Sequence, residues 1–318
     1  MKPTVLITGG SGFLGRRLGK ALRDRYKVFL CARNQHQNTL AEKFSGCPSL
    51  PVDVARYESI RDAVIETRPD ILVHAAATKY VDLGEKYPLE CIDVNVLGSQ
   101  NVAKVAIERK IPVVVGISTD KATPPIRNTY GMTKAVMERL FLGLDGQTST
   151  KFLCTRFGNI AWSVGSVFPV WQRMQEDTGV IGTTGPEMRR FFFTVAEAVN
   201  VVENAIENAD ELHGSILGRR MKSAMVKDIL DQWVIHRGGT WKHIEGRPGE
   251  RQDEYLIGDL ELPFTRAVTF KGVPHYAISF RERQANPPTV ALTSENADRL
   301  TTEEIVDMIT RSAEIERS

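Results

Sequence analysis

Four short runs in the first half of the chain, TVLIT, YKVFLCA, ILVHAAA and IPVVVGIS, are apolar on both alternating faces. Strands of that kind are covered on both sides, as in a parallel sheet. Between them lie GRRLGKALRDR, YESIRDAVIE, LGSQNVAKVAIER and YGMTKAVMERLFLGL, whose apolar residues recur with helical spacing. The alternation predicts an α/β fold, a Rossmann-type doubly wound parallel sheet covered by helices. From about residue 160 the pattern loosens into loops such as TTGPEM and EGRPGE, with the isolated helices FTVAEAVNVVENAIENA, AMVKDILDQWV and TTEEIVDMITRSAEIE. A smaller C-terminal lobe leaning over the carboxyl edge of the sheet is expected there.

Bulk properties exclude several classes. The 318 residues carry a net charge of +2, so no charge surplus points to nucleic acid or an anionic membrane. No apolar run approaches the roughly 20 residues of a membrane span. The opening MKPTVLITGG runs straight into a strand without the apolar core of a signal peptide, which reads as a cytoplasmic protein. Cys31, Cys47, Cys91 and Cys154 are widely spaced and read as reduced packing residues. The Cys and His positions show no metal-ligand spacing, so no metal is expected.

TVLITGGSGFLGRRL sets Gly9, Gly12 and Gly15 between the first strand and the first helix. Glycines there allow a tight turn and close backbone approach, so the helix N-terminus faces a pyrophosphate. The position at a strand-to-helix junction is what gives the triplet weight as a dinucleotide site. The second strand ends in CARNQ without the acidic residue that binds a 2′-hydroxyl; it offers Arg33, with Arg16 and Arg17 nearby. Arginine suits a 2′-phosphate, so NADP is expected over NAD. Asp53 is placed either to accept from an adenine amino group or to cap the next helix.

The stretch STDKATPPIRNTYGMTK follows the strand IPVVVGIS. Tyr130 and Lys134 are four residues apart and share one helix face. An ammonium beside a phenol lowers the phenol's pKa from about 10, preparing it to take a proton from a sugar or alcohol hydroxyl. Asp120 and Lys121 stand at the carboxyl end of the strand, as an acid–base pair or as a simple ion pair.

At these residues the chain resembles an extended short-chain dehydrogenase/reductase, and more narrowly the soluble inverting UDP-N-acetylglucosamine 4,6-dehydratases of the pseudaminic acid pathway type. The likeness is carried by TGGSGFLG, HAAATKYV, YPLECIDVNVLGSQNV, STDKATPPIRNTYGMTK, TRFGN, GSVFPVW, PEMRRFF and RPGERQDE. It implies an NADP-binding domain over 1–160, with 191–216 returning to it. Segments 161–190 and 217–318 then form the nucleotide-sugar-binding lobe. For the chemistry it implies Tyr130 as base at the C4 hydroxyl with Thr119 hydrogen-bonded to the same oxygen. Lys121 becomes the C5 base, its pKa to be lowered by desolvation or by a cationic neighbour, the nicotinamide or Lys134, and Asp120 the acid for the departing C6 hydroxyl.

The resemblance further implies cofactor contacts at Gly9, Gly12, Phe13, Leu14, Gly15 and Arg16, and at Arg33, Asp53, Val54, Ala75 and Ala76. Tyr130 and Lys134 also belong to that contact set, and Lys79 borders both cofactor and sugar. Substrate contacts are implied at Asn159, Ser166, Val167, Arg190, Arg247 and Glu250. A UDP-sugar is the expected partner, with a homo-oligomer as the assembly. Two stretches depart from the family pattern, Trp162 to Ser166 and ILGRRMKSAMVKDI. The added tryptophan is expected in the pocket wall near the diphosphate. A 4-epimerase or ketosugar reductase on the same fold is the alternative; it needs Thr119, Tyr130 and Lys134 but gives Asp120 and Lys121 no task. A cofactor-binding regulatory protein without turnover ranks below both, having no need of the acid–base pair.

Overall fold

The computed structural model describes residues 2–246 and 250–317, without the side chains of 311–317. Six strands follow one another in the first half: β1 (Thr4–Thr8), β2 (Lys27–Ala32), β3 (Ser49–Pro51), β4 (Ile71–His74), β5 (Val113–Thr119) and β6 (Lys151–Phe157). They pair in the order β3-β2-β1-β4-β5-β6, all parallel. Strand Ile216–Arg219 extends the parallel run beside β6. The hairpin Thr265–Phe270 and Val273–Ile278, which lies within the segment expected to form the lobe, adds two antiparallel strands and completes a nine-stranded sheet. Its turn has Lys271 and Gly272 at φ 51° and 78°. Two consecutive positive φ values suit the right-handed twist of a hairpin.

The helices of the first half are α1 (Phe13–Leu22), α2 (Gln35–Ser45), α3 (Tyr57–Thr67), α4 (Val81–Lys86), α5 (Pro88–Ile92), α6 (Gly98–Glu108) and α7 (Thr129–Leu144). A π-helical turn, Asp93–Leu97, leads into α6. Helix α2 was not expected: QHQNTLAEKFS is too polar to show an apolar stripe, and its Asn34 cap (Oδ1 accepting from the Gln37 N–H at 3.0 Å) is the readable signal. The run ILVHAAA leaves the sheet after His74, so Ala75 and Ala76 lie in a loop.

Val5, Leu6, Ile7, Leu72, Val73, Val114 and Val115 are almost wholly buried, and with helix residues such as Leu18, Val102 and Phe141 they form the main core. Burying each aliphatic side chain of this size stabilises the fold by about 1.5–3 kcal/mol. A second core, under the lobe, is aromatic: Trp162, Phe168, Trp171 and Trp233 pack with centroids 5.5–5.9 Å apart. The strand order reverses between β1 and β4. A crevice opens beyond the carboxyl ends of the strands at such a point, and the lobe segments cover it. Among the described residues, no helix is long and apolar enough to cross a membrane.

Candidate active site

Along the carboxyl edge runs one cavity of about 770 Å³. Its floor at one end is the β1–α1 turn. Gly9 has φ +67°, and a Cβ there would stand 2.7 Å from the Ala75 carbonyl carbon and the Ala76 nitrogen. A Cβ on Gly15 would lie 2.5 Å from the Gly9 carbonyl oxygen. The chain is therefore bare backbone at this turn, with the N-terminus of α1 opening on the cavity. That is the cradle a dinucleotide pyrophosphate requires, so the residues present fit the group the sequence implies. Gly12, Phe13, Leu14, Arg16, Val54, Ala75 and Ala76 all line the same end.

Arg33 lines it too, following β2, and its Nη1 stands 3.4 Å from Glu90 Oε1 with both side chains more than half exposed. Asp53 does not line the cavity: its Oδ1 accepts from the Ala55 N–H at 3.1 Å, closing its own turn. It does not cap α3 either, whose N-cap is Arg56.

The middle of the cavity is built by β5, the short turn after it, and α7. Thr119, Lys121, Tyr130 and Lys134 line it, while Asp120 is fully buried and does not. Asp120 Oδ1 accepts from Thr119 Oγ1 at 3.0 Å and from Lys121 Nζ at 3.1 Å. Its Oδ2 is buried without a hydrogen-bond partner. A second carboxylate, Glu254, stands 3.8 Å from Lys121 Nζ. Burial works to lower the Lys121 pKa, but Asp120 and Glu254 carry it above the ordinary lysine value. Burial acts in the expected direction, but the expected help from Lys134 is replaced by two anions facing this ammonium.

A second correction concerns Tyr130. Burial pushes its phenol up to about 12, with Lys121 and a hydrogen bond from Thr119 pulling the other way. Lys134 Nζ donates instead to Met137 Sδ at 3.0 Å. Burial lowers the Lys134 ammonium to about 8, and that of Lys79, also in the cavity, to about 8. His74 is a packed residue, fully buried between Thr8 Oγ1 at 2.8 Å and Ser99 Oγ at 3.1 Å.

At the far end the lobe supplies Asn159, Ser166, Val167, Arg190 and Glu250. Ser166 heads the helix Val167–Thr178, and its Oγ is shielded from solvent without a hydrogen-bond partner. Glu250 Oε1 accepts from Thr184 Oγ1 at 3.0 Å. Arg247 lies outside the described residues. Trp162 is not in the wall. It is buried in the aromatic core with its indole N–H on the Met308 carbonyl at 2.8 Å, while Ser163, Val164 and Gly165 face the cavity instead. Glu254 and Tyr80, both lining the cavity, are the residues that sequence reasoning missed. Glu254 closes the quoted motif RPGERQDE, which was its one available signal.

A family model described as polysaccharide biosynthesis protein matches residues 5–268. A Campylobacter jejuni relative named UDP-N-acetylglucosamine 4,6-dehydratase (inverting) is 31% identical over 87% of this chain and 83% of its own. A Rickettsia bellii relative named UDP-glucose 4-epimerase is 29% identical over 96% and 95%. Among solved structures, Pen from Bacillus thuringiensis superposes with a TM-score of 0.88, covering 98% of both chains at 26% identity.

Proposed function

The chain belongs to the polysaccharide biosynthesis protein family, an extended short-chain dehydrogenase/reductase group, and from that premise we propose that it is an NADP-dependent nucleotide-sugar 4,6-dehydratase. The reaction is loss of water from UDP-N-acetylglucosamine to a 4-keto-6-deoxy hexosamine, with inversion at C5. The observation that carries this reading is the Asp120–Lys121 hydrogen bond of 3.1 Å, set beside Thr119 and Tyr130 at one cavity. An epimerase has no use for that pair.

Gly9, Gly12 and Gly15 hold the pyrophosphate against the N-terminus of α1, and Arg33 with Arg16 meets the 2′-phosphate. A nicotinamide dinucleotide held by these residues would supply the hydride acceptor and donor that side chains lack. Tyr130 Oη removes the C4 hydroxyl proton while Thr119 Oγ1 holds that oxygen. With C4 a ketone the C5 hydrogen is acidic, and Lys121 Nζ takes it. Lys121 needs to be neutral for this and Asp120 protonated for the next step. One proton moved from Nζ to Oδ1 turns the ion pair into that amine and that acid. Asp120 is screened from the cavity, so its proton passes outward through Thr119 Oγ1, its 3.0 Å partner, to the C6 hydroxyl, which leaves as water; C5 regains a solvent-derived proton once C6 is reduced.

Lys79 borders sugar and cofactor, and Asn159, Ser166, Val167 and Arg190 contact the sugar diphosphate. Arg247 and Glu250 meet the nucleotide phosphate and ribose. Leu89, Ile92, Leu97, Met132 and Val136 are exposed apolar residues on α5, the π-turn and α7; their burial between two copies makes the enzyme a homo-oligomer of the cytoplasm, which light scattering of the purified protein tests.

The deciding experiment is incubation with UDP-N-acetylglucosamine in deuterated water without added cofactor. Loss of one water with deuterium at C5 is expected, and NMR couplings give the C5 configuration. A C4 epimer that retains all its oxygen would sink the dehydratase reading in favour of the epimerase.

A further inference from the structure

Lys121 Nζ has Asp120 as its covalent neighbour, and that contact follows from the sequence. Its second carboxylate does not. Glu254 reaches it from the start of the strand Tyr255–Ile257, which pairs with Leu292–Thr293. The Glu254 backbone is fixed on both sides by one residue: its N–H donates to Ser294 Oγ at 3.0 Å, and its carbonyl accepts from the Ser294 N–H at 2.8 Å. Ser294 is itself held, its carbonyl accepting from Ser223 Oγ at 2.7 Å and from Arg299 Nη1 at 2.7 Å. A carboxylate on so braced a backbone stays where it is put.

Glu254 Oε1 stands 3.8 Å from Lys121 Nζ and also 3.8 Å from Arg190 Nε. Oε2 is 3.1 Å from Arg251 Nε. The side chain is only 5% exposed, yet it lines the cavity. A buried carboxylate shared by a lysine and an arginine at the wall of a reaction cavity is costly unless it organises them. We propose that Glu254 is a positioning residue for Lys121, the second of two carboxylates that hold its ammonium at the cavity wall and tie it to Arg190. What Lys121 then does rests on the dehydratase reading above; that Glu254 holds it does not.

The charged and titratable groups facing Lys121 are Asp120 on its own turn, Glu254, Arg190 from the strand Arg189–Phe193, and Tyr130 from α7; Arg251 faces Glu254. Removing the Glu254 charge leaves Lys121 with one anion against Arg190 and burial. The ammonium then loses its proton more readily. Replacing Arg190 acts in the opposite direction.

The test is competitive labelling with acetic anhydride across a pH series, read by mass spectrometry of the peptide carrying Lys121. The side chain is 18% exposed and borders the cavity, so the reagent reaches it. In Glu254→Gln the pH midpoint for Lys121 falls by about one unit or more, while that for the surface Lys227 stays put. Glu254→Asp keeps the charge, holds the midpoint within about half a unit, and still lowers turnover, because the carboxylate is withdrawn by one methylene. Arg190→Gln raises the midpoint. In turnover, Glu254→Gln moves the acidic limb of the kcat profile to lower pH and cuts the plateau kcat about tenfold with KM changed less than about threefold.

An unmoved Lys121 midpoint in folded Glu254→Gln would overturn the proposal, as would unchanged turnover in both Glu254 variants. Should Glu254→Gln fail to fold, the Arg190→Gln midpoint and the Glu254→Asp turnover decide the matter. Labelling reads Lys121 whether or not any sugar is dehydrated. A wild-type enzyme that makes no dehydrated product but shows the shifted midpoint therefore removes the functional reading and leaves Glu254 in place.

Discussion

Two carboxylate–cation–carboxylate clusters lie close together in this molecule, and they are built differently. In one, Arg156 of β6 sits between Glu138 of α7 and Glu261, all three at most 3% exposed in their side chains. Arg156 makes five hydrogen bonds of 2.8–3.1 Å, two to each carboxylate and one to the Leu256 carbonyl. In the other, Lys121 has a single hydrogen bond to Asp120, a looser approach to Glu254 at 3.8 Å, and an Asp120 Oδ2 without a partner. The first is closed and satisfied. The second is left incomplete just behind the cavity wall, at the buried Asp120. Unspent hydrogen-bonding capacity beside a cavity is what a site retains for a substrate, and saturated charge in a core is what a fold retains for its geometry.

The sharpest way to break this contrast is to remove a cation from each. Arg156→Met leaves two buried carboxylates uncompensated and should cost about 3–5 kcal/mol of folding stability, a large part of the roughly 5–15 kcal/mol a domain has. Urea denaturation measures it. A companion variant with Glu138→Gln, Arg156→Met and Glu261→Gln should recover most of the loss, since no charge is then stranded. Recovery of nothing would mean the cluster acts through packing alone.

Lys121→Ala should invert the pattern. Lys121 is partly exposed at the cavity, but its loss strands the fully buried Asp120, so stability falls by about 1–3 kcal/mol, less than for Arg156→Met. Dehydrated product should fall by about 10²–10⁴-fold, while reduction of the nicotinamide by the sugar continues. Absorbance of the reduced cofactor and mass spectrometry of the sugar separate the two. Normal product formation in this variant would take Lys121 out of the mechanism.

The closed cluster and the open one were unequally legible in the sequence. Alternating apolar runs located β1, β2, β4 and β5, because a strand buried on both faces has no other way to read. The Gly9, Gly12 and Gly15 turn and the STDK and YGMTK stretches marked one edge of the sheet. Contacts made across the lobe were not legible. Glu254 lies in a loop with no periodicity, and only the pairing of Tyr255–Ile257 with Leu292–Thr293 brings it to Lys121. The spacing of Tyr130 and Lys134 placed both on one helix face correctly, but spacing does not say where a long side chain points. Lys134 turned to Met137 one turn further on. The hairpin Thr265–Phe270 and Val273–Ile278 did carry a signal, two alternating runs about a Lys-Gly turn.

Lys134 extends the comparison to a buried cation that donates a hydrogen bond to a thioether instead of a carboxylate. Burial lowers it from an ordinary 10.5 to about 8. The unfolded chain restores the higher value, so between about pH 8 and pH 10.5 the unfolded state binds the additional proton. Stability therefore rises with pH across that window, by up to about 3 kcal/mol from this residue. Lys134→Met should flatten that part of the stability profile and raise stability at neutral pH. An unchanged slope would assign it to Lys79, which burial also lowers to about 8.

The smallest effect belongs to an exposed charge pair. Arg33 and Glu90 are 55% and 57% exposed in their side chains and meet at 3.4 Å. A surface pair of this kind adds about 0–1 kcal/mol, so Arg33→Ala should leave the urea midpoint almost unmoved. Its guanidinium lines the cavity end nearest β2, where the proposed 2′-phosphate sits. Losing a charge-assisted bond of about 1.5–3 kcal/mol there should cut the preference for NADP over NAD about ten- to a hundredfold. Measured by cofactor titration of the purified protein, the change should fall on NADP affinity and spare NAD. Equal loss for both cofactors would mean that Arg33 holds the turn after β2 in shape and does not choose between them. Going from Arg156 to Lys121 and Arg33, the hydrogen bonds each cation makes fall from five to one, and the role at stake in these tests passes from holding the fold to the proposed ones of moving a proton and selecting a ligand.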